Sequence, residues 1–457
     1  MSYKIFRHPF LFLLFVICAN ASGAQTDTLR VMGYNVLYYG NGCQGPNGRY
    51  HTYLKTIAGF TNPDIISLEK MASIPVSADD KNATAPIGFA DSILAYAFNA
   101  AFPGRYAYCP FTNASRSNNM AVLFYDQHKL GFVSIVSSYA NLTDFNTYKL
   151  YYKDPNLAKT HDTTFLYLTL NHDKSGDENE AVRGAQIAEE MKHIKEHFTR
   201  LPNMINIGDF NLHSSSESCY QALNQPAETN FRFSDPPFFP DHIFSYPAEW
   251  NHNPDFAAYF TTSTRESAGI PNSCGTGGGA KGWYDHIFVS DWLVNNTDYI
   301  RYIPHSYHTV GNDGNRFKIS IDNRNTHINN AAPPDVIEAL YQMSNKYPVM
   351  LSLEVTPNTK GTGPANPEIA GVKIFTREEI TLDNPVNDQL IIHLPDAMKG
   401  EEISLECVDA DGNSRMKKKL NTKNTDIHLN CKLAPGTYTA RFYTEHNAIT
   451  EIKFTKQ

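Results

Sequence analysis

Short apolar runs that end or begin with a polar residue recur along most of the sequence. They occupy positions 29–37, 65–69, 121–125, 165–172, 204–209 and 283–290. Their length and their β-branched and aromatic residues are typical of strands, whereas positions 51–60 and 181–198 have the apolar spacing of helices. Strands that alternate with helices predict a layered α/β domain.

The polar residues at the strand ends are the candidates for chemistry. They are Asn35, Glu69, His172, Asp209, Asn211 and Asp285. Asp209 and Asn211 are two positions apart, so both side chains would share one face of an extended chain and point at the same phosphate, metal or water. The alternative is a strand followed by a turn that the Asp side chain stabilises.

Two of these residues have competing structural explanations. Glu69 ends an almost wholly apolar strand, where a carboxylate is costly to bury unless it is paired or holds a cation. We favour a metal ligand at this position. His172 is either a hydrogen-bonded core histidine or part of the same polar cleft.

Five motifs together resemble the endonuclease/exonuclease/phosphatase family, which has the deoxyribonuclease-I-like fold. They are Gly-Tyr-Asn-Val (33–36), Ile-Ser-Leu-Glu (66–69), Leu-Asn-His (170–172), Gly-Asp-Phe-Asn (208–211) and Asp-His-Ile-Phe-Val-Ser (285–290). Their order and spacing agree over roughly positions 29–355. The resemblance implies a four-layered α/β sandwich at 25–355 that cleaves phosphoesters with Mg²⁺, or with Mn²⁺ or Ca²⁺ in its place.

The resemblance also implies roles for single residues. Glu69 would hold the metal ion with Asn35 nearby, and His172 would contact the phosphate or assist the leaving oxygen. Asp209 and Asn211 would orient the attacking water and a phosphate oxygen, and Asp285 would complete the polar cluster. A cation in such a cleft would offset the repulsion between the phosphate and the carboxylates.

One motif departs from the family pattern. The family has Ser-Asp-His before its last strand, and that His activates the water, whereas this chain has Ser344-Asn345-Lys346. A protonated lysine cannot accept a proton, although Lys346 can bind a phosphate oxygen as a point charge. His286 is a further candidate for substrate binding. His286, His305 and His308 are the candidates for a replacement base.

The C-terminal part of the chain has a different pattern. Positions 356–370 are rich in Pro, Gly and small residues and predict a linker. Positions 371–457 read as short strands separated by turns, which predicts a small all-β immunoglobulin-like sandwich. This unit resembles the type IX secretion sorting domain of Bacteroidota, and the alternative is an ordinary accessory domain.

Composition and the N-terminal segment bear on location. Positions 1–24 have two basic residues, an apolar run and a small-residue end, the layout of a secretory signal peptide. Export would allow disulfides, and we expect Cys407 and Cys431 to form one, with buried free thiols as the alternative. The net charge of −8 argues against a general polyanion-binding surface.

These observations predict an exported, metal-dependent, nuclease-like phosphoesterase, with activity weakened by Asn345 and Lys346. The first alternative is a phosphatase or a sphingomyelinase-type phosphodiesterase, and the second is a catalytically inactive surface binding protein. The expected partners are a phosphoester, either nucleic acid or a small phosphodiester, and the type IX secretion machinery. We expect a monomer without a transmembrane segment, secreted or held at the cell surface after passage through the periplasm.

Overall fold

The computed structural model describes most of the chain. The described residues are 26–40, 47–72, 87–112, 115, 117, 119–268, 275–323, 325, 327–369, 380–394, 398–400, 402–409, 413–443 and 448–457. The expected signal peptide at 1–24 lies outside these residues, as do Cys43 and Cys274.

The first unit contains thirteen strands among its described residues. They are β1 (Asp27–Tyr39), β2 (Ile65–Ala72), β3 (Tyr106–Tyr108), β4 (Asn119–Asp126), β5 (Leu130–Asn141), β6 (Thr143–Tyr152), β7 (Phe165–His172), β8 (Met204–Asp209), β9 (Phe233–Ser234), β10 (Asp285–Ser290), β11 (Ile300–Tyr302), β12 (His308–Thr309) and β13 (Val349–Val355). The central strands β1, β2, β7, β8 and β10 are almost entirely buried, because apolar side chains cover both of their faces.

These strands form two mixed sheets. The first sheet has the order β11-β13-β1-β2-β4-β3, with β12 also paired to β13, and the second has the order β5-β6-β7-β8-β10-β9. Within them β1 and β2 are parallel, and so are β7 and β8. The sheets pack face to face, since β1 and β2 contact β7 and β8 across a shared apolar core.

Helices cover the outer faces of both sheets. The α-helices among the described residues of the first unit are α1 (Asn47–Thr61), α2 (Ile87–Ile93), α3 (Asn99–Ala101), α4 (Leu157–Thr160), α5 (Glu180–His197), α6 (Ser218–Asn224), α7 (Asp291–Asn295) and α8 (Pro334–Met343). One π-helical turn, Leu94–Phe98, joins α2 to α3. Helices α1 and α8 pack together, as do α5 and α6. The predicted four-layered α/β sandwich is therefore confirmed.

One edge of the sandwich collects the strand ends that matter for the site. The parallel strands β1 and β2 end there, and so do β7 and β8. Strand β10 is antiparallel to β8 and β13 is antiparallel to β1, so both begin at the same edge. Four strands therefore end at this edge and two others begin there. The polar residues near these strand ends face one another across the two sheets.

The C-terminal unit is all-β in its described part. Its strands are β14 (Thr381–Leu382), β15 (Gln389–His393), β16 (Ser404–Asp409), β17 (Ser414–Lys419), β18 (Asp426–Asn430), β19 (Gly436–Tyr443) and β20 (Ala448–Lys456). They form sheets of order β14-β15-β18 and β17-β16-β19-β20 around a separate apolar core. Two antiparallel sheets around one core agree with the predicted immunoglobulin-like sandwich.

Residues 356–369, which follow β13, run along the surface of the first unit. The backbone N–H of Asn358 donates to Asp154 Oδ2 at 2.5 Å, and the carbonyl of Pro367 accepts from Thr199 N at 2.9 Å. Lys149 Nζ lies 2.7 Å from Glu368 Oε1 in a mostly buried ion pair. The segment expected to be a linker is therefore bound to the sandwich over much of its length.

The expected disulfide between Cys407 and Cys431 is not formed. Both side chains lie in the core of the C-terminal unit, and both are free thiols. Burial raises the pKa of the Cys407 thiol to about 12, so that it behaves as a small apolar group. Among the described helices, none has the length and apolar character needed to cross a membrane.

Candidate active site

The strand register brings the predicted site residues together in pairs. Asn35 on β1 is the direct neighbour of Glu69 on β2. His172 on β7 is the direct neighbour of Asp209 on β8, and Asp209 is in turn opposite Asp285 on β10. The two sheets then place the two groups against each other, because Asn35 Nδ2 donates to Asp209 Oδ2 at 2.8 Å.

Asp209 is the centre of this cluster and is ionised. Its carboxylate accepts the hydrogen bond from Asn35 and lies 2.8 Å from Lys346 Nζ through the same Oδ2 atom. Burial alone would raise the pKa of this carboxyl group. The charge of Lys346, with His172 and the Asn35 hydrogen bond, outweighs burial and holds the pKa below its ordinary value.

Lys346 contacts the carboxyl groups of both Asp209 and Asp285. Its Nζ atom lies 3.3 Å from Asp285 Oδ2, and burial together with the charge of Asp209 raises the pKa of Asp285 to about 7. Burial would lower the pKa of Lys346, but the two carboxylates outweigh it and raise that pKa. The ammonium group therefore stays protonated at neutral pH and does not act as a base.

The segment before β13 fixes Lys346 in this place. Ser344 Oγ donates to the carbonyl of Asn35 at 2.7 Å and accepts from Lys346 N at 3.1 Å. The ring of Tyr284 lies under the ammonium group, 4.7 Å from its centroid to Nζ. Asn345 Nδ2 donates instead to Thr276 Oγ1 at 2.8 Å. Lys346 alone of this motif thus contributes its side chain to the carboxylate cluster.

Glu69 is the residue that fits a metal ion. It is fully buried, its Oε1 accepts from Ser67 Oγ, and its Oε2 has no hydrogen-bond partner. Burial, with the nearby Asp285 and Asp209, raises the pKa of Glu69 well above its ordinary value. A buried carboxylate oxygen without a partner is costly, and a cation would remove that cost.

Few other side chains near Glu69 are available to bind a metal ion. No group of three or more His, Cys, Asp or Glu side chains within the described ranges is arranged to hold a metal ion. Asn35 Oδ1 accepts from Leu37 N at 3.0 Å, and Asp209 is paired with Lys346. A site with one free carboxylate oxygen fits Mg²⁺, which is usually bound through one or two carboxylates, water and substrate phosphate.

His172 enters the cluster as a neutral imidazole. Its Nδ1 atom is buried and has no hydrogen-bond partner. Burial, together with the charges of Lys70 and Lys346, lowers the pKa of the ring to about 4 against the opposing effect of Asp209. A neutral ring can accept a hydrogen bond at one nitrogen and donate from the other.

Asn211 adopts the turn that we considered as the alternative to an extended chain. Strand β8 ends at Asp209, and Asn211 has a left-handed backbone with φ of 50°. Its backbone N–H donates to Asp209 Oδ1 at 3.2 Å, and its Nδ2 donates to the carbonyl of Asp173 at 3.0 Å. Asn211 therefore braces Asp209 through its backbone.

The structure places the ring of His286, which we expected to bind substrate, in the core and outside the cleft. Its ring is fully buried and stacks on Trp283 with a centroid distance of 4.4 Å. Its Nδ1 lies 3.2 Å from Asp235 Oδ2. Successive residues of a strand point to opposite faces, so a strand that directs Asp285 into the cleft directs His286 away from it.

The other candidate bases make contacts elsewhere. His305 is exposed and lies 3.9 Å from Asp241 Oδ1, and the Nδ1 atom of His308 lies 2.9 Å from the carbonyl of Ser306. These contacts give no sign of a replacement base in the cluster.

Lys70 is a site residue that we did not predict. It follows Glu69 on β2, so regular alternation would direct it away from the cleft. Its backbone is left-handed instead, with φ of 59°, and its charge interacts with Asp209, Lys346 and Asp285. Burial lowers the pKa of Lys70 to about 8. Only its place beside Glu69 pointed to it in the sequence.

Comparisons with known proteins give structural likenesses alone. No protein-family model and no curated protein matches the sequence. TDP2 from D. rerio, solved with a single-strand DNA product, is 13% identical with a TM-score of 0.40, covering 71% of this chain and 98% of its own. An endonuclease/exonuclease/phosphatase family protein from Bacteroides thetaiotaomicron is 14% identical with a TM-score of 0.40, covering 72% and 99%.

A third solved structure is the human Nocturnin catalytic domain with a bound sulfate anion. It is 12% identical with a TM-score of 0.39, and the match covers 72% of this chain and 97% of that one. Because the sequence identities and the TM-scores are low, the description of the fold rests on the strand order given above and not on these likenesses.

Proposed function

We propose that this protein is a metal-dependent phosphoester hydrolase of the nuclease type, with slow turnover. The observation that carries the proposal is the meeting of Glu69, whose Oε2 atom is buried without a partner, with the ionised Asp209 at one edge of the two sheets. A cation-binding carboxylate beside a charged carboxylate and an ammonium group is suited to hold a phosphate and a water molecule.

Glu69 and Asn35 would hold the divalent ion, Mg²⁺ or one of its substitutes. When bound, the ion would offset the charge of the phosphate and of the leaving oxygen. Asp209 is the ionised carboxylate of the cluster, so it would orient the attacking water and accept its proton. Asn211 keeps Asp209 in position through its backbone N–H.

His172 and Lys346 would act on the phosphate. The neutral ring of His172 would donate a hydrogen bond to the leaving oxygen, and the ammonium group of Lys346 would bind a phosphate oxygen. The carboxylate of Asp209 is a weak base because Lys346 holds its pKa low. We therefore expect turnover to be slower than with a histidine at position 346.

The substrate we propose is a phosphodiester of a nucleic acid. A smaller phosphoester, cleaved by a phosphatase or a sphingomyelinase-type activity, is the alternative that the net charge of −8 favours.

A second candidate function is that of a catalytically inactive binding protein. It is favoured by the contacts of Lys346, which pairs with Asp209 and Asp285 at 2.8 Å and 3.3 Å. In the motif Ser344-Asn345-Lys346, this protonated amine stands at the position where the family has its catalytic histidine. In this case the cleft would recognise a phosphate without cutting it.

We propose in addition that the protein is exported and acts as a monomer outside the cell or on its surface. Positions 1–24 support passage across the inner membrane, and the all-β unit at 371–457 supports delivery by the type IX secretion machinery. Fusing 371–457 to a periplasmic reporter in a species with this machinery should bring the reporter into the medium or onto the surface. A reporter that stays in the periplasm would contradict this.

The test of the enzymatic proposal is hydrolysis of plasmid DNA, RNA and bis(p-nitrophenyl) phosphate by the mature protein with Mg²⁺ or Mn²⁺. We expect slow turnover that Asp209→Ala abolishes and that the double variant Asn345→Asp/Lys346→His accelerates. Turnover only in the double variant would establish the binding protein instead. The absence of turnover in both proteins, with phosphate bound, would have the same meaning.

A further inference from the structure

The end of strand β2 departs from regular strand geometry next to the cluster. Asn35 and Glu69 are in register, but the next paired residues are Tyr39 and Met71, so one strand contains a bulge relative to the other. Tyr38 and Lys70 within this bulge are both left-handed, with φ of 57° and 59°. Such conformations cost about 1–2 kcal/mol for residues other than glycine.

The bulge breaks the alternation of strand β2 at Lys70. Between Leu68 and Met71, β2 has one more residue than its partner strand β4. In a regular strand Lys70 would point to the face opposite Glu69, whereas an extra residue changes the direction of the side chains around it. Bulges near functional sites commonly redirect one side chain in this way.

The ammonium group of Lys70 is held by an aromatic ring. Its Nζ atom lies 4.4 Å from the ring centroid of Tyr38. Within the described part of the chain, no carboxylate forms an ion pair with Lys70, in contrast to Lys346 with its two carboxylate partners. A cation–π contact positions an ammonium group and leaves its N–H donors free for an anion.

We propose that Lys70 is a phosphate-binding residue of this cleft, held by Tyr38 so that it contacts a non-bridging oxygen of the substrate phosphate. The inference rests on the proposed function for the identity of the anion. It adds to the cleft a cation that is not already neutralised by Asp209 and Asp285. Lys346 binds phosphate only in competition with those carboxylates, whereas Lys70 has no such competitor.

The test measures binding and turnover separately. The affinity of the full-length mature protein for inorganic phosphate is measured by calorimetry, and KM and kcat are measured with bis(p-nitrophenyl) phosphate. We expect Lys70→Met to weaken phosphate binding about tenfold or more, since a charge-assisted hydrogen bond is lost. KM should rise more than kcat falls. Lys70→Arg should keep the affinity within about threefold, because it keeps the charge.

Two further variants complete the design. Lys159→Met, on the outer helix α4, removes a lysine that is remote from the cleft and should change neither quantity. Tyr38→Leu removes the ring under the ammonium group and should weaken phosphate binding severalfold, which supplies a second test if Lys70→Met does not fold.

The outcomes separate the two proposals. Phosphate bound by the wild type and lost in Lys70→Met, without turnover in any protein, supports the role of Lys70 and contradicts the hydrolase. Phosphate bound equally by the wild type and Lys70→Met overturns the role of Lys70, whatever the turnover. A wild type that does not bind phosphate overturns it as well.

Discussion

The Nζ atom of Lys346 lies 2.8 Å from the Oδ2 atom of Asp209, and the same nitrogen lies 3.3 Å from Asp285 Oδ2. One ammonium group thus contacts two carboxyl groups that the register places directly opposite each other on β8 and β10, and burial raises the pKa of the second, Asp285, to about 7. This arrangement explains how the protein buries Asp209 in an ionised form. It also makes the stability of the edge depend on Lys346, which we expected to bind substrate.

Replacement of Lys346 by Met should destabilise the protein by about 3–5 kcal/mol at pH 7, since it leaves buried carboxylates without their cation. The measurement is urea denaturation followed by circular dichroism. The double variant Asp209→Asn/Lys346→Met removes both charges and should recover most of the loss. Equal midpoints for wild type and Lys346→Met would show that the ion pair contributes no net stability.

Glu69→Gln should abolish stabilisation by Mg²⁺ or Mn²⁺. The amide keeps the shape of the side chain and can still accept from Ser67, but it removes the carboxylate that would bind the ion. The measurement is the melting temperature with EDTA and with excess metal, which should differ in the wild type and not in Glu69→Gln. Glu338→Gln, on the exposed face of α8, is the matched control and should keep the difference. A metal-dependent shift that survives in Glu69→Gln would remove Glu69 from the site.

Glu190 should make the stability of the protein fall as pH rises. Its carboxyl group is buried under the second sheet, accepts from Asn206 Nδ2 at 2.6 Å and has an Oε2 without a partner. Burial raises its pKa from 4.5 to about 8. The stability that this group contributes is therefore complete below pH about 4.5 and is lost progressively until pH about 8.

Glu190→Gln removes this dependence, because the amide does not titrate. The difference in unfolding free energy between variant and wild type should grow in favour of the variant by about 1.4 kcal/mol for each pH unit in that window. Glu189→Gln, at the half-buried neighbouring position of α5, should leave the slope in this window unchanged. Parallel curves for Glu190→Gln and wild type would mean that the group is ionised in the folded protein.

Arg183→Met should destabilise the loops that follow β7 and β8. The guanidinium is fully buried, pairs with Glu217 Oε2 at 2.6 Å and donates to the carbonyl of Gly176 at 2.8 Å. Loss of this buried pair should cost about 3–5 kcal/mol and make the loop at 173–180 exchange amide hydrogens faster. Lys192→Met, on the exposed side of α5, should do neither. Unchanged exchange at 173–180 would show that other contacts hold the loop.

The sequence was sufficient for features that depend on local pattern. Apolar runs predicted the central strands, and their terminal polar residues predicted which side chains would meet. The contact between Asn35 and Asp209 joins residues 174 positions apart and two different sheets, so no local pattern could give its geometry. The same holds for the pairing of Lys346 with both carboxylates.

The errors and omissions also have physical causes. His286 lies outside the cleft because the alternation of a strand places it on the face opposite Asp285. Lys70 was not predicted, and it lies at a bulge, where the alternation of a regular strand does not hold. A bulge between non-glycine residues has no reliable signature in a single sequence.

The connecting segment 356–369 determines where mechanical load would enter the sandwich. A protein tethered by its C-terminal unit would be pulled through residues 367–369, whose backbone pairs with that of 197–199. Glu368 is also fastened to Lys149 at 2.7 Å and to Tyr167 Oη at 2.6 Å. Tension would therefore act first as shear on helix α5 and on the second sheet, which carries His172 and Asp209, and it would reach β13 only after these contacts broke.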